Sequence, residues 1–288
     1  MVPINYWLHT LFSQVDVSLN DTLISPSENT YPYRAYIEAT LNYGRDATKS
    51  QLTASLFYRD SSHHFNDTQG NDNSGLKVRR ELTVRIREVD MMGRLHTDIT
   101  AQDRYLLNGV NVKIRLIPSK RAFNLMAHGV NPSFVSTSTR ASLLVRKCKL
   151  NPPVALAHAK ALERGTVKYP LKRVVIKTFS IPQNNLSAVQ DNLFLSQLPT
   201  RIVIGLVDSA AFNGHYSKDS FNFTQIVFPV LVSRRETDSS ETPDTGLSKP
   251  DVRSLIFQSV YGDRHNEQRR GQLHRVPRLP WWLCALCL

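Results

Sequence analysis

Cysteine is scarce: three residues in 288, Cys148, Cys284 and Cys287, too few for a disulfide framework. Cys284-Ala285-Leu286-Cys287 has CxxC spacing, but no second pair accompanies it, so it falls short of a zinc site. This usage favours a reducing, intracellular compartment. Long apolar runs are missing as well. None approaches the roughly 20 residues that span a bilayer, and the opening MVPINYWLHTLFSQ lacks the basic flank and apolar centre of a secretory signal. The N-x-S/T triplets at Asn20, Asn66, Asn185 and Asn222 are therefore read as incidental. GxxxxGK[ST], GxGxxG after a strand, GxSxG and HExxH are all absent, which leaves no P-loop, dinucleotide, nucleophile-elbow or zinc-protease signature. No repeat of solenoid length occurs.

What is present is an ordinary globular composition with an unusual charge. Hydrophobic residues make up 41% and charged residues 21%, enough to bury a sizeable core. The formal net charge is +12, which favours a polyanionic neighbour such as nucleic acid or a membrane surface. The lysines and arginines recur along the chain without forming one contiguous run.

The stretch with the strongest single signal is Leu198–Asn213, LPTRIVIGLVDSAAFN. Its centre, Ile202–Val207, is apolar and rich in β-branched residues, bounded by Pro199 and by Asp208-Ser209, and reads as a strand covered on both faces. A helix there would be short and would carry Gly205 in its middle at a cost of about 1 kcal/mol. Upstream, Val15, Val17 and Leu19 alternate with polar residues over Gln14–Asn20, as do Val110, Val112, Ile114 and Leu116 against Asn111, Lys113 and Arg115. Leu82, Val84 and Ile86 alternate with Thr83, Arg85 and Arg87. Ala141–Cys148, Lys172–Ile181 and Ile226–Val232 complete the strand candidates, with Pro229 placing the last on an edge or at a bulge. Helices are expected over Tyr33–Tyr43 (Thr30 as cap, Pro32 in the first turn, Gly44 beyond the end), from Asp46 to Leu56-Phe57, and over Val154–Arg164 between Asn151-Pro152-Pro153 and Gly165. Pro182–Ala188 reads as a loop. Many irregularly spaced strands with a few short helices predict an all-β sandwich, barrel or jelly roll.

Residues that invite a chemical role do not complete one. His63 and His64 with Asp67 and Asp72 lie in the polar loop His63–Ser74 without ligand spacing, so no metal is assigned to them. Cys148 and His158 could be paired as nucleophile and base, but Cys148 sits in a strand pattern between lysines and His158 in a helix, both ordinary structural settings. No catalytic, cofactor-binding or metal residue is assigned, and an enzyme is not expected.

From Trp7 to about Tyr261, the strings NYWLHTLFSQVDVSLN, NTYPYRAYIEATLNYGRDATKSQLTASLFYRD, GRLHTDITAQDRYLLNGV, KYPLKRVVIKTF and DNLFLSQLPTRIVIGLVDSAAFNG resemble the major capsid protein of Polinton (Maverick) elements and adintovirus-like viruses, copies of which occur in animal genomes. The resemblance implies a double jelly roll, two β-sandwiches with short helices in the connections, assembling as homotrimers into a capsid lattice around DNA. It implies a virion location for a working copy, no small-molecule substrate and no membrane, with DNA contact limited to non-specific attraction to a basic surface. Within the family pattern the segment after the strongest strand reads NPFNF; here it is Asp219-Ser220-Phe221-Asn222-Phe223, so the aromatic residues remain and the proline is lost. The alternative is a host-retained basic β-sandwich protein that binds nucleic acid or a protein partner.

Two departures suggest a double jelly roll incomplete at both ends. Family members carry opening strands before the position of Asn5, where this chain has only Met1-Val2-Pro3-Ile4, so unpaired edges are expected. After Gly262 the composition becomes arginine-rich and then Trp-, Cys- and Leu-rich. Pro280–Leu288 can be encoded as CCN TGG TGG CTN TGY GCN CTN TGY followed by a leucine codon; read one nucleotide later, these codons permit Pro-Gly-Gly-Tyr-Ala-Leu-Tyr-Ala-Phe. That string resembles the family's GGYxLYAFDL stretch, so the tail is expected to be a frameshift product, and CALC an accident of reading frame. The expected organisation is 1–150, the remainder of a first jelly roll with a helical insertion; 151–261, a linking helix and the start of a second; and 262–288, a non-native tail.

Overall fold

The computed structural model describes residues 1–26, 28–69, 71–84, 88–128, 136–182, 190, 199–223 and 281–287. In chain order the elements are β1 (Val2–Pro3), α1 (Trp7–Thr10), β2 (Phe12–Leu19), β3 (Thr22–Leu23), α2 (Tyr31–Asn42), α3 (Arg45–Lys49), a 3-10 turn at Gln51–Ser55, α4 (Ser74–Thr83), a 3-10 turn at Ile99–Ala101, β4 (Val112–Pro118), α5 (Arg121–Asn124), β5 (Leu125–Met126), α6 (Pro152–Arg164), β6 (Val175–Ile181), β7 (Ile202–Asp208), α7 (Ser209–Asn213) and β8 (Trp281–Cys287). These residues fall in one unit, Met1–Phe223 with Arg278–Leu288; a second unit, Thr224–Pro277, lies outside the described residues, as do the strand expected at Ile226–Val232 and all but Pro182 of the expected Pro182–Ala188 loop.

Among the described residues the strands are short and make small antiparallel sheets with helices between them, so the expected β-strands and connecting helices are both present and the helices take a larger share than an all-β chain implies. β1 pairs with β5, β3 with β2 and β2 with β4, and β8 lies between β6 and β7, every pair antiparallel. The two clearest alternating patterns in the sequence meet in register. Val15 faces Leu116, Val17 faces Ile114 and Leu19 faces Val112, so apolar side chains share one face; on the other, Asp16 stands opposite Arg115.

The core is organised around α2 rather than β7. Eight of the twelve α2 residues are buried, including Tyr33, Tyr36, Ile37 and Ala39. Such a helix is covered nearly all round, which a single apolar stripe does not announce. One cluster gathers Val2, Ile4 and Tyr6, the α2 aromatics, Phe123, Val174, Ile176, Val207 and Phe221. A second, smaller one joins Tyr31 to Val15 and Val17. In β7 only Leu206 and Val207 are buried, while Ile202 is exposed, so the strand is covered towards its C-terminal end alone. Its Gly205 has a packing reason: a Cβ there would stand 2.9 Å from Phe223 Cδ1, within the ring that lies over the strand. The opening residues belong to the core: Val2 and Ile4 are buried, and Ile4 N–H donates to Asn124 O at 3.1 Å.

Two other expected strands are different structures. Leu82 and Thr83 close α4 and Val84 caps it, while residues 85 and 86 of the expected strand lie outside the described residues. That helix starts where Asn73 Oδ1 accepts the Leu76 N–H at 3.2 Å, and it buries Leu76 and Arg79, three apart, so helical spacing prevails over the local alternation. Ala141–Cys148 is unpaired chain with every residue exposed. The remaining helices stand close to expectation: Thr30 precedes α2, and Asn151 and Gly165 bracket α6. The helix expected from Asp46 begins at Arg45 and breaks into the 3-10 turn.

Candidate functional site

Two buried polar constellations concentrate the titratable side chains. The first is built on α2 by the Arg34–Glu38 pair, four residues apart and hence on one helix face. Arg34 Nε donates to Glu38 Oε1 at 2.9 Å and its terminal nitrogen to Asp98 Oδ1 at 2.5 Å. Glu38 Oε2 lies 2.7 Å from His96 Nδ1, and His96 Nε2 lies 2.8 Å from the Tyr6 hydroxyl. The His96 ring thus bridges Glu38 and Tyr6 through its two nitrogens. Asp98 Oδ1 also accepts the Val174 N–H at 3.3 Å, which brings in the residue preceding β6.

Burial would raise Glu38, but the His96 hydrogen bond and the Arg34 guanidinium outweigh it and hold the carboxyl below its usual range. Burial, and then the neighbouring His96, push His9 well below the usual histidine range. Burial raises the Tyr6 and Tyr31 phenols, which therefore remain hydroxyls. The Tyr31 oxygen accepts from His96 N at 3.4 Å and lies 2.9 Å from His9 Nδ1. If Tyr31 donates to His9 Nδ1, the His9 proton sits on Nε2, which has no hydrogen-bond partner among the described residues. Gly93 lies directly against that atom: a Cβ at Gly93 would come within 3.0 Å of it and 2.8 Å of Leu8 Cδ2. Tyr6 itself holds a left-handed backbone, φ 57° and ψ 46°, a conformation costing a non-glycine residue roughly 1–2 kcal/mol. A cavity of about 30 Å³, room for a single water, borders Tyr31, Arg34, His96 and Val174.

The second constellation surrounds Arg79, which is fully buried. Its guanidinium donates to Pro3 O at 3.0 Å, Tyr58 O at 2.9 Å and Asp60 Oδ1 at 2.7 Å. Asp219, also fully buried, stands close enough to Asp60 that burial first, and then the Asp60 charge, push its carboxyl up to about 7, against the opposing pull of the Phe221 N–H and Arg79. Asp60 Oδ2 and Asp219 Oδ2 both lack a hydrogen-bond partner among the described residues. Asp219 Oδ1 accepts the Phe221 N–H at 2.8 Å. An aspartate turn thus holds this segment.

Both constellations join segments distant in sequence. The first links the 6–9 segment, α2, the 96–98 loop and the approach to β6; the second links residues 3, 58–60, α4 and 219. Removing one partner of such a buried pair costs on the order of 3–5 kcal/mol, because the other charge is left without compensation. Their chemistry is that of clamps. His9, His96, Asp60 and Asp219 are all buried, and sequence reading singled out none of them for a role. A signal was available. The Arg34–Glu38 spacing is legible, and the first constellation's Tyr6, His9, Tyr31, Arg34, Glu38, His96 and Asp98 all fall inside three of the strings that carry the capsid-protein resemblance.

The residues considered for chemistry stand elsewhere. Asp67 builds its own loop, accepting the N–H groups of Gln69 at 2.9 Å and Asp72 at 3.0 Å, while His64 Nδ1 lies 3.9 Å from Asp72 Oδ2 in an exposed contact. Cys148 and His158 are both exposed, and no hydrogen bond joins them. Cys284 and Cys287 belong to β8. Among the described residues, no helix is long and apolar enough to cross a membrane.

Over 224 residues, 77% of its length, the chain is 29% identical to an uncharacterised protein of Caenorhabditis elegans, and it spans about half of that curated relative. No protein-family model matches the chain, and no solved structure matches it.

Proposed function

We propose that this chain derives from a double-jelly-roll major capsid protein of a Polinton-like mobile element, a shell-building subunit with no bond-making centre. The observation that carries the reading is the apolar face of the β2–β4 sheet. Val15 and Val17 are covered by Tyr31, but on the neighbouring strand Val112 is 43% and Leu116 37% exposed. A sandwich needs a second layer over that face. Among the described residues β4 pairs with β2 alone, so its outer edge is open to another strand. A shell subunit covers such a face with further strands or with its neighbours, whereas an isolated globular protein gains nothing from leaving it bare. The long resemblance strings support the same reading.

Light scattering and electron microscopy on the purified full chain test it. Trimers or shell-like particles are expected, and Val112→Lys with Leu116→Lys on β4 should reduce them to monomers. A chain that stays monomeric at high concentration, with Val112 and Leu116 indifferent to lysine, would overturn the proposal.

A further inference from the structure

The positive charge of this chain is concentrated in one segment. Residues 137–173 hold nine lysines and arginines against a single acid, Glu163, a net +8 of the chain's +12. The other 251 residues share the remaining +4. Every residue from 137 to 173 is exposed except Tyr169, which is half-buried. The segment is tied to the rest of the chain near both ends: the Thr139 hydroxyl donates to Glu88 Oε1 at 2.8 Å, the Arg104 guanidinium donates to Lys168 O at 2.9 Å, and the Tyr169 hydroxyl contacts Leu107 N at 3.1 Å and Tyr105 O at 3.3 Å. Arg140, Arg146, Lys147 and Lys149 stand on chain that is neither helix nor strand, whereas Lys160 and Arg164 are one turn apart on α6.

We infer that residues 137–173 form a nucleic-acid-binding arm that engages the phosphate backbone without reading bases. Three physical arguments select this partner. Two copies of a +8 segment repel each other, so a second copy is a poor occupant, while a polyanion is attracted over its whole length. An anionic membrane would attract the charge, but the large apolar residues of α6, Val154, Leu156 and Leu162, all exposed, spread over about 200° of the helix, with His158 between Val154 and Leu162. The arm also has no regular structure over Arg140–Lys149, so stretched out it can span up to about 30 Å, the length of roughly nine base pairs of duplex phosphates. Flexible stems on an open chain suit phosphates, which carry no sequence information. The inference does not depend on the shell reading, since a dispersed chain presents the same arm.

The test measures the affinity of the purified full chain for a short labelled DNA duplex of arbitrary sequence over a range of salt. The quadruple variant Arg140→Gln, Arg146→Gln, Lys147→Gln, Lys149→Gln should lower the slope of log affinity against log salt by about 3–4, at roughly 0.9 for each phosphate no longer neutralised. A control variant removing the same charge from the body, Arg45→Gln, Lys49→Gln, Lys77→Gln, Lys113→Gln, should leave the slope within about 1 of the wild-type value. On the unaltered protein, the duplex should protect residues 137–173 from trypsin. Equal slope changes in both variants, binding that ignores salt, unprotected cleavage of the arm, or a preference for phosphatidylserine vesicles over duplex at equal phosphate would each overturn the inference.

Discussion

Phe221 lies flat against Tyr36, ring centroids 4.1 Å apart and planes 8° from parallel. This stacking fixes the segment after α7 onto the central helix, and Asp219 holds the turn that presents the ring. Phe221 is 1% exposed and also meets Tyr33 edge-on at 5.8 Å. Phe221→Ala should cost about 3–5 kcal/mol, the range for a buried phenylalanine replaced by alanine. Phe223, half-buried over Gly205, should cost about half as much. Urea unfolding followed by tryptophan fluorescence measures both, and equal losses would remove Phe221 from its place as the anchor.

Asp219 makes stability depend on pH in a stated direction. Its carboxyl is raised from the ordinary 3.8 to about 7 in the folded chain, so the folded state holds a proton that the unfolded state gives up. The stabilisation is full below the unfolded value and is lost as pH rises toward the folded one. Asp219→Asn keeps the acceptor for the Phe221 N–H and supplies a permanent donor. The variant should gain stability over the wild type between about pH 4 and pH 7, by at most about 4 kcal/mol at 1.36 kcal/mol per unit, and the gap should stay level above that. Melting temperatures across this range decide it. Parallel profiles for the two proteins would mean that the folded chain does not hold Asp219 protonated.

The Tyr6 hydroxyl answers His96 Nε2 inside the core. Tyr6→Phe keeps the ring and its edge-on contact with Phe57 at 5.3 Å but leaves that nitrogen without its partner. The expected loss is about 1–3 kcal/mol, the desolvation cost of an orphaned buried group. Denaturant midpoints of the two proteins check it. A loss indistinguishable from zero would mean that another donor reaches His96.

Local pattern carried the β2–β4 pair and α6, because alternation and end signals are short-range. It failed for residues 82–84, where the end of α4 and an alternating stretch overlap and only Asn73, nine residues upstream, decides between them. It also passed over α2 as the centre of the fold. Tyr33 and Ile37 mark one face, but Arg34 is buried and Glu38 half-buried too, through partners at residues 96 and 98 that no local window includes. The same holds for the Asp60–Arg79–Asp219 group, whose members come together only after three separate segments have packed. Charge misled for a related reason: without a contiguous run, the cations read as dispersed, and only their common exposure over 137–173 gathers them into one surface.

The position of β8 sets the order of events during synthesis. β6 and β7 are both paired to it, yet residues 209–280 separate β7 from its partner. At the usual 5–20 residues per second, a ribosome needs roughly 4–14 s to deliver that strand. Throughout this interval two emerged segments wait with open backbone groups, so chaperones that shield nascent strands have a defined window in which to act.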